Sequence, residues 1–319
     1  MPASPASSFS FRKAWPWLLA AAVVGIAVGV AGVWLYGIAD KKYREAQLGS
    51  AVMAKNVCSG VFISRRTPED ILATDLSGPP YERLTEFKPN VDRDAKRVTA
   101  SYCLFGPKWP MSCLIGKQTA IFREGLGCTV VDTTDDALRA QSPGLPPPAP
   151  VSNPEALWPE GERVDLEGIL PGVDRAVLQA AVDTAFDEPD PKCPRRTRAL
   201  VVVHDGRIVA EKYAPGFDAT TPLNGWSMAK TATNALAGLR VEDGKLVRTD
   251  KDLLKDWRGE GDQRRRDITL DELLRMTSGL AFSEDYDSDD GDARQMLYIK
   301  GDKSGFAAAK PLKHTPGTY

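Results

Sequence analysis

No charged side chain occurs between Lys13 and Asp40, and no other stretch of this 319-residue chain restricts its fold as strongly. A helix needs about 20 predominantly apolar residues to cross the hydrocarbon of a bilayer. Residues 14–39, rich in Ala, Val and Gly, supply them. Trp15 and Trp17 at one end and Trp34 and Tyr36 at the other would lie about 26 Å apart along such a helix, a spacing that suits the aromatic belts of the two membrane interfaces. We therefore expect a short cytoplasmic tail at 1–13 and a single-pass transmembrane anchor at 14–39. The alternative is a signal peptide cleaved after Gly37-Ile38-Ala39, but the apolar region far exceeds a usual signal core. Gly25 and Gly29 form a Gly-x-x-x-Gly pair compatible with helix dimerisation, which Gly-rich composition explains equally well. The oligomeric state is not legible.

Positive charge flanks the span on both sides, with Arg12 and Lys13 before it and Lys41, Lys42 and Arg44 after it, so the charge rule does not decide orientation. The cysteines do. Cys58, Cys103, Cys113, Cys128 and Cys193 show no Cys-x-x-Cys spacing and no neighbouring histidines of a zinc site. Four of them fall within residues 58–128, which predicts two disulfides there in one of three connectivities, with Cys193 left over, and an oxidising compartment. The expected location is the inner (cytoplasmic) membrane, with the C-terminal domain on the periplasmic side. The competing reading is a set of buried reduced thiols in a cytosolic protein. A net charge of −2, with 42% hydrophobic and 26% charged residues, describes an ordinary globular remainder. It offers no basic footprint for nucleic acid.

Beyond the anchor, residues 40–137 read as a charged juxtamembrane helix over Asp40–Ser50 followed by a small Cys-containing β-rich module. Its strand candidates include Val57–Ser64, Val98–Phe105 and Thr119–Glu124. A Pro-rich connector is expected at 138–165, because the prolines of Gln141–Pro154 favour an extended chain. The last unit, 166–319, opens on a helix over Asp174–Phe186 capped by Asp174. There follow a buried strand over Ala199–Asp205 and a second over Arg207–Tyr213, joined by the strong hairpin dipeptide Asp205-Gly206.

After this hairpin comes Gly225-Trp226-Ser227-Met228-Ala229-Lys230, at the start of a helical pattern that runs through Arg240 and closes near Gly244. Residues i and i+3 share a helix face about 5–6 Å apart, so Lys230 can reach the Ser227 oxygen. The helix N-terminus favours charge developing on an oxyanion and disfavours a protonated lysine. The spacing alone is weak evidence, since Ser10-Phe11-Arg12-Lys13 repeats it in a basic tail. The position after a hairpin, at a helix start, separates the two.

The hairpin, the block Trp226-Ser227-Met228-Ala229-Lys230 and Leu273-Leu274-Arg275-Met276-Thr277-Ser278-Gly279-Leu280 resemble the serine hydrolases related to class C β-lactamases, nearest to their 6-aminohexanoate-dimer hydrolase and esterase-like branch. The likeness is most specific over Thr197–Tyr319. It implies an α+β (or α/β) penicillin-recognising fold, an antiparallel sheet flanked by helices, incomplete at the C-terminus. It also implies an acyl-enzyme mechanism with Ser227 as nucleophile and Lys230 as its base. The family's catalytic Tyr motif and its Lys- or His-Thr-Gly motif are not in this sequence. His314-Thr315-Pro316-Gly317-Thr318-Tyr319 resembles the segment just before that tyrosine, so the chain is expected to be a fragment or truncated form, inactive by itself. Trp226 and Tyr286 are the candidate substrate-binding residues, with core packing as the plain alternative for each. The expected substrate is a small amide, an ester or a β-lactam-like carbonyl. No metal or organic cofactor is implied.

Thr269 and Glu272 make a capping box for a helix through Met276 that Gly279 ends. Thr277-Ser278-Gly279 is therefore expected to shape the site without doing chemistry. Asp285–Gly291 invites a calcium reading, but its glycine is off the EF-hand register and no glutamate closes the loop. Two other functions compete. One is an α/β-hydrolase-type esterase, with Ser227 on a nucleophile elbow and His314 in its triad, which requires a parallel strand running into the serine turn. The other is a membrane-anchored binding protein that keeps the fold without turnover.

Overall fold

The computed structural model describes residues 11–78, 81–131, 153–168, 171–258, 263–286, 288 and 291–318, with the side chains of 11–28, 30, 31, 110 and 256 outside the description. The expected cytoplasmic tail lies largely outside these residues, as does most of the Pro-rich connector. The described chain is α+β, with helices and two antiparallel sheets.

One helix dominates the N-terminal half: α1, Phe11–Phe62, 52 residues, spans about 78 Å at 1.5 Å per residue. Its backbone passes through the expected anchor, 14–39, whose side chains are mostly outside the description, and through the expected juxtamembrane helix without a break. Among the described residues no helix is long and apolar enough to cross a membrane.

The second half of α1 is the spine of a small domain. Strands β1 (Phe87–Asp92), β2 (Arg97–Cys103), β3 (Cys113–Arg123) and β4 (Gly127–Val131) form an antiparallel meander in that order. Pro89 is tolerated in β1 because β1 is an edge strand. Leu48, Met53, Val57, Cys58 and Val61 of α1 bury against Val98, Ala100, Ala120 and Val130 of the sheet, and against Ile71 of α2 (Pro68–Thr74). Each fully buried aliphatic side chain of this kind contributes about 1.5–3 kcal/mol. Close approach needs glycine at two points. A Cβ on Gly116, which sits at φ +60°, would lie 2.6 Å from backbone atoms of Ala46 and Gln47, and one on Gly49 would lie 2.3 Å from the Phe87 ring.

Two disulfides tie this domain together, Cys58–Cys128 from α1 to β4 and Cys103–Cys113 across the β2–β3 loop, and Cys193 is free and exposed. This is one of the three expected pairings. The strand expected over Val57–Ser64 is instead the end of α1. A short apolar run rich in valine and isoleucine does not distinguish a buried strand from a buried helix. Here the sheet and α2 enclose the run on several sides, and burial overrides β-propensity.

The C-terminal half contains α3 (Arg175–Thr184), the hairpin β5 (Ala199–His204) and β6 (Arg207–Tyr213), α4 (Ala229–Glu242), α5 (Leu270–Leu274), α6 (Asp292–Tyr298) and α7 (Lys303–Ala308). Asp174 caps α3, its carboxylate accepting from the N–H groups of Ala176 and Val177 at 2.9 and 3.1 Å. Asp205 and Gly206 both adopt positive φ, 48° and 72°, the geometry of a tight hairpin turn. The expectation of a buried strand at β5 is corrected. Val201 and Val203 are 48% and 49% exposed, because the sheet has two strands and β5 shows one face to solvent.

The two halves are docked. The guanidinium of Arg196 donates to the Ser77 carbonyl and hydroxyl, both at 2.9 Å, and to the Thr74 carbonyl, satisfying the C-terminal end of α2. Arg66 pairs with Asp70 and Asp75 at 2.6 and 2.8 Å, Arg198 also pairs with Asp75, and both arginines lie over the Phe217 ring. Tyr298 of α6, 6% exposed, inserts into the N-terminal core itself.

Candidate active site

The geometry around Ser227 starts one residue earlier. Trp226 has φ +44°, a left-handed conformation that costs a non-glycine residue about 1–2 kcal/mol. It reverses the chain into a 3-10 turn, Trp226–Met228, closed by the Met228 N–H donating to the Gly225 carbonyl at 2.9 Å. That turn feeds α4, and Ser227 stands at its mouth. Lys230, in the first turn of α4, donates from Nζ to Ser227 Oγ at 3.1 Å. The expected pairing of hydroxyl and amine is therefore formed, and the same separation would let an uncharged amine accept the hydroxyl proton. Backbone strain stored beside a reactive side chain is a recurrent property of functional sites.

The solvent environment differs from expectation. Ser227 and Lys230 are both exposed, and α4 has no buried residue, with Leu236 and Leu239 63% and 55% exposed. A base lysine of the expected mechanism calls for a shielded amine, and in the described structure Lys230 is open to solvent. Among the described residues nothing covers this face of α4.

Trp226 and Tyr286 both line one cavity of about 940 Å³, whose described wall includes neither Ser227 nor Lys230. The Trp226 indole forms part of its wall, and the Tyr286 backbone carbonyl accepts from Arg294 at 3.2 Å. Most of the remaining wall comes from the N-terminal domain, including Tyr43 and Leu48 of α1, Phe87 of β1 and Tyr102 of β2. Sequence reasoning missed these residues. No periodicity or spacing connects them with Ser227; only docking of the two halves brings them to Trp226. Tyr298 also lines the cavity, and burial, aided by the nearby Tyr81, pushes its phenol up to about 12.

The other motifs fall where chain geometry needs them. The capping box is complete, Thr269 Oγ1 accepting from Glu272 N at 3.2 Å and Thr269 N donating to Glu272 Oε2 at 2.8 Å. The helix ends early, at Leu274, because Met276 takes φ +59°. Gly279 sits at φ +77°, and a Cβ there would meet the His314 carbonyl at 2.4 Å. Thr277-Ser278-Gly279 therefore forms the seat for the segment after Pro311, with Lys313 and His314 N–H donating to the Gly279 carbonyl. The His314 side chain is exposed and makes no hydrogen bond to Ser227 among the described residues, and no parallel strand pair leads into the serine turn there. The triad alternative lacks both of its structural requirements. Asp287, Asp289 and Asp290 of the acidic loop lie outside the described residues, and no metal-ligating cluster is found among those that are described.

Residues 181–319 match the family model described as Beta-lactamase. No curated protein matches the chain. The family match supports a β-lactamase-fold serine hydrolase assignment for the C-terminal half and a hydrolase-type function for it.

Proposed function

We propose that this protein, in its full-length form, is a membrane-anchored, extracytoplasmic serine hydrolase that cleaves small amides, esters or β-lactam-like carbonyls through an acyl-enzyme. The observation that carries the reading is the 3.1 Å contact between Lys230 Nζ and Ser227 Oγ at a strained turn opening a helix. In the proposed reaction, uncharged Lys230 takes the hydroxyl proton as Ser227 Oγ bonds to the carbonyl carbon. The oxyanion gathers charge beside the helix N-terminus, where backbone N–H groups point outward. Collapse of the tetrahedral adduct expels the leaving group, to which the lysine returns the proton, and water then releases the acyl group by the same route reversed. For the amine to act as base, water must be excluded from the first turn of α4 when substrate is bound. Trp226 and Tyr286, on one cavity, are the residues proposed to hold the substrate.

The anchor at 14–39 and the periplasmic placement belong to the same proposal, supported by the uncharged run and by two disulfides that need an oxidising compartment. The exposure of Lys230 favours one competing reading, a binding protein without turnover. A fluorophosphonate probe applied to the full-length form separates them. Covalent labelling that maps to Ser227 and disappears in Ser227→Ala supports catalysis, with Lys230→Ala expected to slow labelling by about 100-fold or more. A folded protein that is not labelled, or labelling that survives Ser227→Ala, refutes it.

A further inference from the structure

The β2–β3 loop and the start of β3 carry an apolar surface that the proposed reaction does not use. Phe105, Trp109, Met111 and Leu114 are 74%, 69%, 91% and 76% exposed, at the end of the domain where the Cys103–Cys113 bridge pinches the two strands together. A second exposed apolar group lies on α1, where Val33, Trp34, Leu35 and Tyr36 are 75%, 67%, 59% and 75% exposed.

The two groups lie at one level along α1. Gly116 touches the backbone at Ala46 and Gln47, while Gly127, which pairs with Arg123 at the far end of β3, lies against Ile63. From Ala46 to Ile63 the helix rises about 26 Å, and from Gly116 to Arg123 the strand advances about 23 Å, so β3 runs beside α1 in the same direction. Extrapolated backward, Cys113 lies about 10 Å before Gly116, which corresponds to about seven helix residues and places it level with Ala39. Leu104 shares its cavity with Ala39, Lys42 and Tyr43, an independent sign of the same level. The loop tip therefore extends alongside Trp34–Ile38, the expected interfacial end of the anchor.

We infer that the disulfide-pinned loop of Leu104–Ser112 is a second membrane contact, dipping Phe105, Trp109 and Met111 into the interface of the bilayer that α1 crosses. This inference rests on the anchor reading of 14–39. The chemistry fits a lipid surface: aromatic and thioether side chains at the depth of Trp34 and Tyr36, with Lys108 on the loop and Lys41, Lys42 and Arg44 on the domain side, where headgroup phosphates would lie. The bridge holds the loop in place, so insertion costs little ordering. With one unbroken helix as the other attachment, the loop would fix how the domain faces the membrane.

The test uses the full chain reconstituted in phosphatidylcholine–phosphatidylglycerol vesicles whose acyl chains carry shallow bromines. Subtracting the emission of Trp109→Phe from that of the unaltered protein isolates Trp109, and Trp34→Phe isolates Trp34 in the same way. The expected result is that both lose about half their emission relative to unbrominated vesicles. Quenching of Trp34 without Trp109 would overturn the loop contact while leaving the anchor intact, whether the loop faces water or a second copy. Failure of Trp34 to quench, with release of the protein by alkaline carbonate, would reject the anchor and this inference with it.

Discussion

Removing the Cys58–Cys128 bridge should destabilise the N-terminal domain more than removing Cys103–Cys113, by an amount set by the loops they close. The bridged residues are 70 apart in the first case and 10 in the second. Loop-closure entropy assigns about 4.4 kcal/mol to the longer loop and about 2.7 kcal/mol to the shorter, a difference of about 1.7 kcal/mol. The double variants Cys58→Ala/Cys128→Ala and Cys103→Ala/Cys113→Ala make the comparison without burying a hydroxyl at Cys58, which is fully buried. Pulse proteolysis across a urea series reads the midpoint for the N-terminal domain. With a slope of about 2 kcal/mol per molar, the long-loop variant should shift by about 2.2 M and the short-loop variant by about 1.4 M. Each pair also loses one fully buried sulfur, at Cys58 or Cys103, so the cavity cost falls on both variants and leaves the loop difference to decide the gap. Equal shifts, or a larger shift for the short loop, would refute the argument that these bridges act by restricting the unfolded chain.

Gly116→Ala should cost several kcal/mol, because the new methyl meets helix backbone at 2.6 Å and φ is +60°; a melting temperature within a degree of the parent would show that β3 does not seat on α1 as described. The Tyr298 phenol, pushed up to about 12 by burial, binds its proton more tightly folded than unfolded. The stability it contributes is complete below about pH 10 and is lost as pH rises from about 10 toward 12. Denaturation midpoints should fall more steeply over that window in the parent than in Tyr298→Phe, and parallel curves would contradict it.

Much of the C-terminal half was readable residue by residue, because its signals are local. Asp174 caps a helix, Asp205-Gly206 makes a hairpin turn and Thr269 with Glu272 closes a capping box through contacts within a few residues of each other. The Ser227–Lys230 pairing belongs to the same class, since helical spacing alone brings the two side chains within reach. Where burial decided the outcome, local reading failed. Val57–Phe62 is helical because a sheet and α2 enclose it, and β5 is half exposed because only β6 pairs with it.

By itself the sequence determined the elements whose hydrogen bonds close locally, the uncharged run that lies within the first part of α1, and the restriction of both bridges to four cysteines. Only the tertiary structure decided which cysteines pair, that α1 is the spine of the small domain, and that Tyr43, Phe87 and Tyr102 share a cavity with Trp226. The physical reason is range: capping and turn energies depend on neighbours a few residues away, whereas cavity walls and disulfide partners are set by which surfaces of the chain bury against one another.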